Sequence, residues 1–108
     1  MMDSKVVTLN CNGLKGNFVY VKDLANKFDC IFLTETWILR SEQHLLSNFE
    51  QKFTIIPVYA NKHSTGRPFG GTVLLLNRKT FTSVDIIILE NRITIVKTML
   101  KNISLIIT

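Results

Sequence analysis

The stretch from Leu9 to Trp37 limits what this chain can fold into more than any other, because two short polar motifs there each close an apolar run. The first, LNCNG, spans Leu9 to Gly13 and follows Val6 and Val7; the second, IFLTETW, spans Ile31 to Trp37 and follows Cys30. Between them Phe18, Val21, Leu24, Ala25 and Phe28 recur at three- and four-residue steps, with Lys22, Asp23, Asn26 and Lys27 on the other side. That is the spacing of a helix with one apolar face. The order is therefore strand, helix, strand. Such a unit lets both strands run parallel and delivers their carboxyl ends to one edge of a sheet. Ligands of open α/β sheets bind outside those ends. Asn10, Asn12 and Glu35 then share one edge, two amides beside a carboxylate, a set suited to a hard cation and a phosphate.

The rest of the chain reads as follows. Val6 to Leu9 is a short strand that stops at the Asn12-Gly13 turn. Cys30 to Thr34 is a continuous apolar run suited to a strand buried on both faces. Ser41, followed by Glu42 and Gln43, opens a short helix through Phe49. Phe53 to Tyr59 returns as a strand, and Pro57 assigns it to an edge or a bulge. Asn61 to Gly71 is a polar loop with glycines at 66, 70 and 71; Thr72 to Leu76 is another buried strand, ended by Asn77-Arg78-Lys79. Phe81 to Leu89, Ile93 to Leu100 and Ile103 to Thr108 follow as a meander rich in Ile, Val and Thr, turning at Glu90-Asn91 and at Lys101-Asn102.

Composition narrows the class. A chain of 108 residues is one domain at most. Its charged fraction of 19%, beside 46% hydrophobic residues and a mean hydropathy of +0.22, lies below the usual quarter, so some apolar face expects a partner. A net charge of +5 and a pI near 9.5 favour polyanions, nucleic acid before acidic membranes. Cys11 and Cys30 form neither a disulfide framework nor a zinc spacing and read as reduced thiols. Glu90, Arg92, Lys97 and Lys101 interrupt the C-terminal apolar runs, and the first residues lack the apolar core of a signal peptide. The expectation is an intracellular protein of nucleus or cytoplasm, with no membrane partner.

Each polar residue has two readings at this level. Glu35 directly follows a buried run, so it is either a metal ligand or a strand-end carboxylate in water. Asn10 either orients a phosphate oxygen or caps the turn, and Asn12 before Gly13 is a turn residue by default. Trp37 is a lid over the core or a platform for a base; His44 and His63 lack partners at ligand spacing and read as surface. Lys62, Arg67, Arg78 and Lys79 either line a phosphate-backbone track or are scattered solvated charge. Gly70-Gly71 lets backbone approach something closely or makes a turn.

Taken in order, LNCNGL, IFLTETW and GRPFGGTVLLLNRK resemble pieces of the endonuclease/exonuclease/phosphatase superfamily. More narrowly they resemble the apurinic-type endonuclease domain at the front of non-LTR (LINE-type) retrotransposon polyproteins. The resemblance implies an α/β fold: the N-terminal half of a four-layer α/β/β/α sandwich, a mixed β-sheet with helices on one face, so that residues 1–108 form a partial domain. It implies an N-terminal fragment of a Mg2+-dependent (or Mn2+-dependent) DNA endonuclease that nicks a target site to prime reverse transcription. By the same resemblance Asn10 matches the phosphate-site asparagine, Glu35 the metal-binding glutamate, and Asn12 a supporting position. The family's tyrosine, its Asp-x-Asn pair and its Ser-Asp-His have no counterpart here. The implied fragment is therefore inactive alone and binds metal weakly, and its bare inner sheet face awaits the missing C-terminal half or another partner. Two further readings use the same residues: a fragment of a superfamily phosphatase or phosphodiesterase, and a non-catalytic module that binds nucleic acid or protein.

Overall fold

The computed structural model describes residues 5–62, 66–89, 94–100 and 103–107, those beyond residue 87 as backbone only. Its strands are β1 (Val6–Asn10), β2 (Cys30–Thr34), β3 (Phe53–Val58), β4 (Thr72–Asn77), β5 (Phe81–Leu89), β6 (Thr94–Leu100) and β7 (Ile103–Ile107), with one α-helix, α1 (Phe18–Ala25). Short 3₁₀ segments cover Lys15–Asn17 and Arg40–Phe49. The first sheet has the order β1-β2-β4-β3. β1 and β2 run parallel, as the crossover through α1 demands, while β4 is antiparallel to both β2 and β3. The sheet is mixed, as expected, and β3 with its Pro57 lies at an edge, where the missing N–H is tolerated.

One face of this sheet is packed by the helical layer. Ile31, Leu33, Val73, Leu75 and Phe53 meet Val21, Leu24 and Ala25 of α1 and Leu46 and Phe49 of the long 3₁₀ segment. The Phe18 and Phe49 rings, 5.5 Å apart between centroids, join the two helical pieces. Residues Arg40–Phe49 therefore do form the expected helical segment, but wound as 3₁₀. Local competition explains the tighter winding: Ser47 Oγ donates to the His44 carbonyl (2.7 Å) and Asn48 Nδ2 to the Leu45 carbonyl (3.2 Å). These bonds satisfy carbonyls at three-residue spacing. At its start Glu42 Oε1 accepts from the Leu39 N–H (3.1 Å) and pairs with Lys15, tying the two 3₁₀ segments together.

The opposite face corrects the expectation of a bare inner sheet. Cys30, Ile56, Leu74 and Leu76 point that way and are buried, Leu74 at 1% exposure, with Phe81 and Val84 of β5 packed against them. The β5-β6-β7 sheet is antiparallel throughout, the meander expected of the second half. Register shifts between Thr82 and Asp85 and between Ile86 and Ile88 bend β5, and Ser83 takes φ 55° at the first of them. Chain that follows β4 thus folds back over its own sheet. What stays open is the β1 strip: Val6 is 62% exposed, Thr8 and Asn10 are exposed, and among the described residues no strand pairs with the outer edge of β1. The turns expected at 90–91 and 101–102 lie outside the described residues. Among the described residues, no helix is long and apolar enough to cross a membrane.

Candidate functional site

Strand register decides which side chains meet at the carboxyl ends of β1 and β2. Asn10 lies opposite Thr34, Thr34 opposite Thr72, and Thr72 opposite Val58. Side chains alternate along a strand, and Leu9, Leu33 and Val73 face the helical layer, so Asn10, Thr34 and Thr72 share the inner face. One register step behind them, Phe32, Leu74 and Ile56 are apolar. An amide and two hydroxyls thus form a row across three neighbouring strands, about 4.8 Å from one strand to the next. Glu35 is the first residue beyond the row.

The two motif loops prolong this edge together. Cys11 N–H donates to the Thr34 carbonyl (2.8 Å), Gly13 N–H to that of Glu35 (2.9 Å) and Leu14 N–H to that of Thr36 (2.9 Å). Asn17 Nδ2 closes the first loop from beneath by donating to the Cys11 (2.8 Å) and Gly13 (3.3 Å) carbonyls. On the other flank Thr36 N–H donates to the Gly71 carbonyl (3.1 Å) and Trp37 N–H to that of Gly70 (3.0 Å). Glu35 Oε2 accepts from Trp37 Nε1 (3.0 Å) and from the Gly70 N–H (3.2 Å), which fixes the carboxylate. Its Oε1 has no partner among the described residues. Asn10 Oδ1 is likewise engaged, accepting from the Asn12 N–H (3.1 Å), so the amide presents its Nδ2 donor outward.

Backbone strain is concentrated here. Among the described residues four non-glycine residues take left-handed φ, and three of them are Asn12 (48°), Glu35 (51°) and Trp37 (58°). Such residues persist only where surrounding contacts hold them, and they cluster at functional sites. The glycines have matching reasons. A Cβ at Gly13 (φ 92°) would lie 2.6 Å from Trp37 Cε3, and one at Gly71 (φ 87°) 2.7 Å from Thr36 Oγ1. Gly71 is therefore a close approach, the first of the two readings left open for the Gly70-Gly71 pair. The Trp37 ring lies against Gly13 and beneath the Arg67 guanidinium, whose carbon is 4.2 Å from the ring centroid. Trp37 acts as a clamp on Glu35.

Asn10, Asn12 and Glu35 are thus brought to one edge, and Arg67 and Lys62 lie exposed on the β3–β4 connection at the same end. Arg78 and Lys79 are not with them. They follow β4 at the opposite end of the sheet, where Arg78 Nε donates to the Glu50 carbonyl (3.0 Å), because β4 runs antiparallel to β2. The four cations do not make one track. His44 is exposed, as expected, and His63 lies outside the described residues. Sequence reasoning missed Thr34, Thr72 and Asn17. A hydroxyl at one end of each apolar run, closing IFLT and opening TVLLL, was a signal, but only the register shows that the two lie side by side.

Among the described residues no group of three or more His, Cys, Asp or Glu could hold a metal. One fixed carboxylate with a free oxygen beside a hydroxyl row fits a magnesium-type ion, which is commonly held by one or two carboxylates and completed by substrate phosphates and water. Cys11 and Cys30 take no part. Both are buried, and burial pushes their thiols up to about 11, with Asp29 adding to the rise at Cys30.

No family model and no curated protein matches the chain. Among solved structures it is similar to the 3′ phosphatase NExo from Neisseria, solved bound to a product DNA hairpin, with a TM-score of 0.61 and 14% sequence identity. The match covers 96% of this chain and 40% of that one. The fold is shared: an α/β architecture with a mixed sheet. The chain spans well under half the length of that relative.

Proposed function

We propose that this chain supplies the phosphate- and metal-binding edge of a divalent-metal-dependent DNA phosphodiesterase, in the manner of the N-terminal part of a retrotransposon-type endonuclease. The observation that carries this reading is the in-register row Asn10–Thr34–Thr72 ending at the clamped Glu35. Glu35 Oε1 would hold Mg2+ or Mn2+. When bound, such an ion polarises a phosphoryl oxygen and stabilises the charge that develops on it. Asn10 Nδ2 donates to a non-bridging phosphate oxygen, the Asn12 N–H keeps that amide oriented, and Lys62 and Arg67 neutralise neighbouring phosphates. No histidine stands beside Glu35 among the described residues to take a proton from water, so the reading includes no turnover by this chain alone.

Two measurements test it. Incubated with supercoiled plasmid and Mg2+, the chain is expected to leave the plasmid uncut; nicking that disappears in Glu35→Ala would overturn the inactivity while supporting the site. Binding to a short DNA duplex is expected to strengthen with Mn2+ and to lose that increment in Glu35→Gln. Salt-sensitive binding unchanged by chelator and by Glu35→Gln would instead point to a non-catalytic binding module. One observation favours a phosphomonoester as a second substrate class: the similar structure is that of a 3′ phosphatase. Tighter metal-dependent binding of a 3′-phosphorylated oligonucleotide than of its 3′-hydroxyl counterpart would select that reading.

A further inference from the structure

The ladder between β1 and β2 fixes the direction of every backbone group in β1. The Lys5 carbonyl accepts from the Cys30 N–H (3.1 Å), and the Cys11 N–H donates to the Thr34 carbonyl (2.8 Å). In a parallel pair alternate residues turn to the neighbour, so Lys5, Val7, Leu9 and Cys11 face β2. Val6, Thr8 and Asn10 aim their N–H and C=O at the outer edge. All three are exposed, Val6 at 62%.

This edge lacks the features that blunt one. The strand VVTLN holds no proline and no charge, whereas β3, at the other edge of the sheet, carries Pro57. An apolar margin runs beside it on the helical side. Val7 and Leu9 are only partly buried against the core. Above them stands Tyr20, 55% exposed. Its place on α1 is opposite Phe18 and Lys22, which face the 3₁₀ segment over β3, so Tyr20 lies on the β1 side.

The strand is complementary to itself. Antiparallel pairing about a two-fold axis at Thr8 sets Thr8 opposite Thr8 and Val6 opposite Asn10. These are the residues with outward groups, so each pair exchanges both N–H···O bonds. Val7 then falls opposite Leu9 in the non-hydrogen-bonded position, where side chains come closest, and apolar meets apolar. A slip of one residue would set Thr8 against Leu9, whose backbone groups already serve β2. With no charge in the strand, two copies of a chain of net charge +5 meet there without like charges opposed.

We propose that β1 is a homodimer interface, two copies joining their four-stranded sheets into one through antiparallel β1 strands centred on Thr8. The two-fold uses up both β1 edges, so assembly through them stops at two. The inference does not depend on the phosphodiester reading.

Sedimentation equilibrium of the 108-residue chain tests it. The expected mass is twice 12.4 kDa at about 1 mM and falls towards 12.4 kDa on dilution, as suits a short interface. Thr8→Pro removes the outward N–H from both copies and spares the β2 ladder. It is expected to raise the dimer Kd at least about tenfold while the urea midpoint of the dilute chain stays in place. Thr8→Cys keeps the test open should the proline disturb folding. Its Cα atoms would stand about 5.5 Å apart across the axis, within disulfide reach, so mild oxidation is expected to give a covalent dimer. Val6→Cys, which faces Asn10 of the other copy, is expected not to, and the buried Cys11 and Cys30 stay out of the reaction. A monomer at every concentration, association unchanged in Thr8→Pro, growth beyond the dimer, or Val6→Cys cross-linking as readily as Thr8→Cys would overturn the proposal.

Discussion

Glu35, Trp37 and Asn12 hold left-handed backbone at the edge where the polar row ends, and Gly13 permits it by having no side chain against the Trp37 ring. Gly13→Ala combines a strained φ of 92° with a Cβ 2.6 Å from an aromatic carbon. It should destabilise the chain by about 1–3 kcal/mol, read as a lower urea midpoint. The two thiols give a pH signature. Their native pKa is raised from 9.0 to about 11, so the folded chain keeps protons that the unfolded chain releases. Their contribution to stability is intact below pH 9 and is lost as pH rises towards 11. The urea midpoint should therefore fall between pH 8 and pH 10.5, and fall less in a Cys11→Ala, Cys30→Ala double variant. Under native conditions at pH 8 neither thiol should react with iodoacetamide. At this scale the sequence places Glu35, Asn10 and Asn12 at one sheet edge because each stands at or just beyond a strand end. It hides Thr34 and Thr72, whose meaning comes from a partner strand that lies far along the chain.

Elements were more legible than their neighbours. Continuous runs such as CIFLT and TVLLL announce buried strands, the three- and four-residue steps announce α1, and Pro57 announces an edge. The 3₁₀ winding of Arg40–Phe49 was not legible, because it depends on Ser47 and Asn48 competing for local carbonyls and on the Lys15–Glu42 pair from another segment. Nor was the covering of the inner sheet face, which follows from the turn between Asn77 and Phe81 that brings Phe81 and Val84 onto the cluster of Leu74 and Leu76. That covering has a direct consequence. Leu74→Ala should cost about 2–5 kcal/mol, as for a filled core position. On the open β1 strip, Val6→Thr should change stability by less than about 0.5 kcal/mol. A Leu74→Ala cost as small as that of Val6→Thr would mean the face is open after all.

At the scale of the molecule, the helical layer covers one face of the first sheet, Phe81 and Val84 of β5 pack on the other, and the proposed site lies at its Glu35 end. The basic residues divide between two ends: Lys62 and Arg67 beside Glu35, Arg78 and Lys79 at the other. DNA bound at the site should therefore respond to Lys62→Ala and Arg67→Ala with a shallower salt dependence, and not to Lys79→Ala. Arg67→Ala should also alter Trp37 fluorescence by removing the cation from its ring. The account stands or falls on whether Glu35, clamped by Trp37 and Gly70 beside the polar row, is a divalent-metal ligand. The direct measurement is paramagnetic broadening of backbone amide signals on titration with Mn2+. The account predicts broadening confined to 10–12, 34–37 and 70–72, reversed by excess Mg2+ and abolished in Glu35→Gln. Broadening spread over the surface, or local broadening that persists in Glu35→Gln, would contradict it.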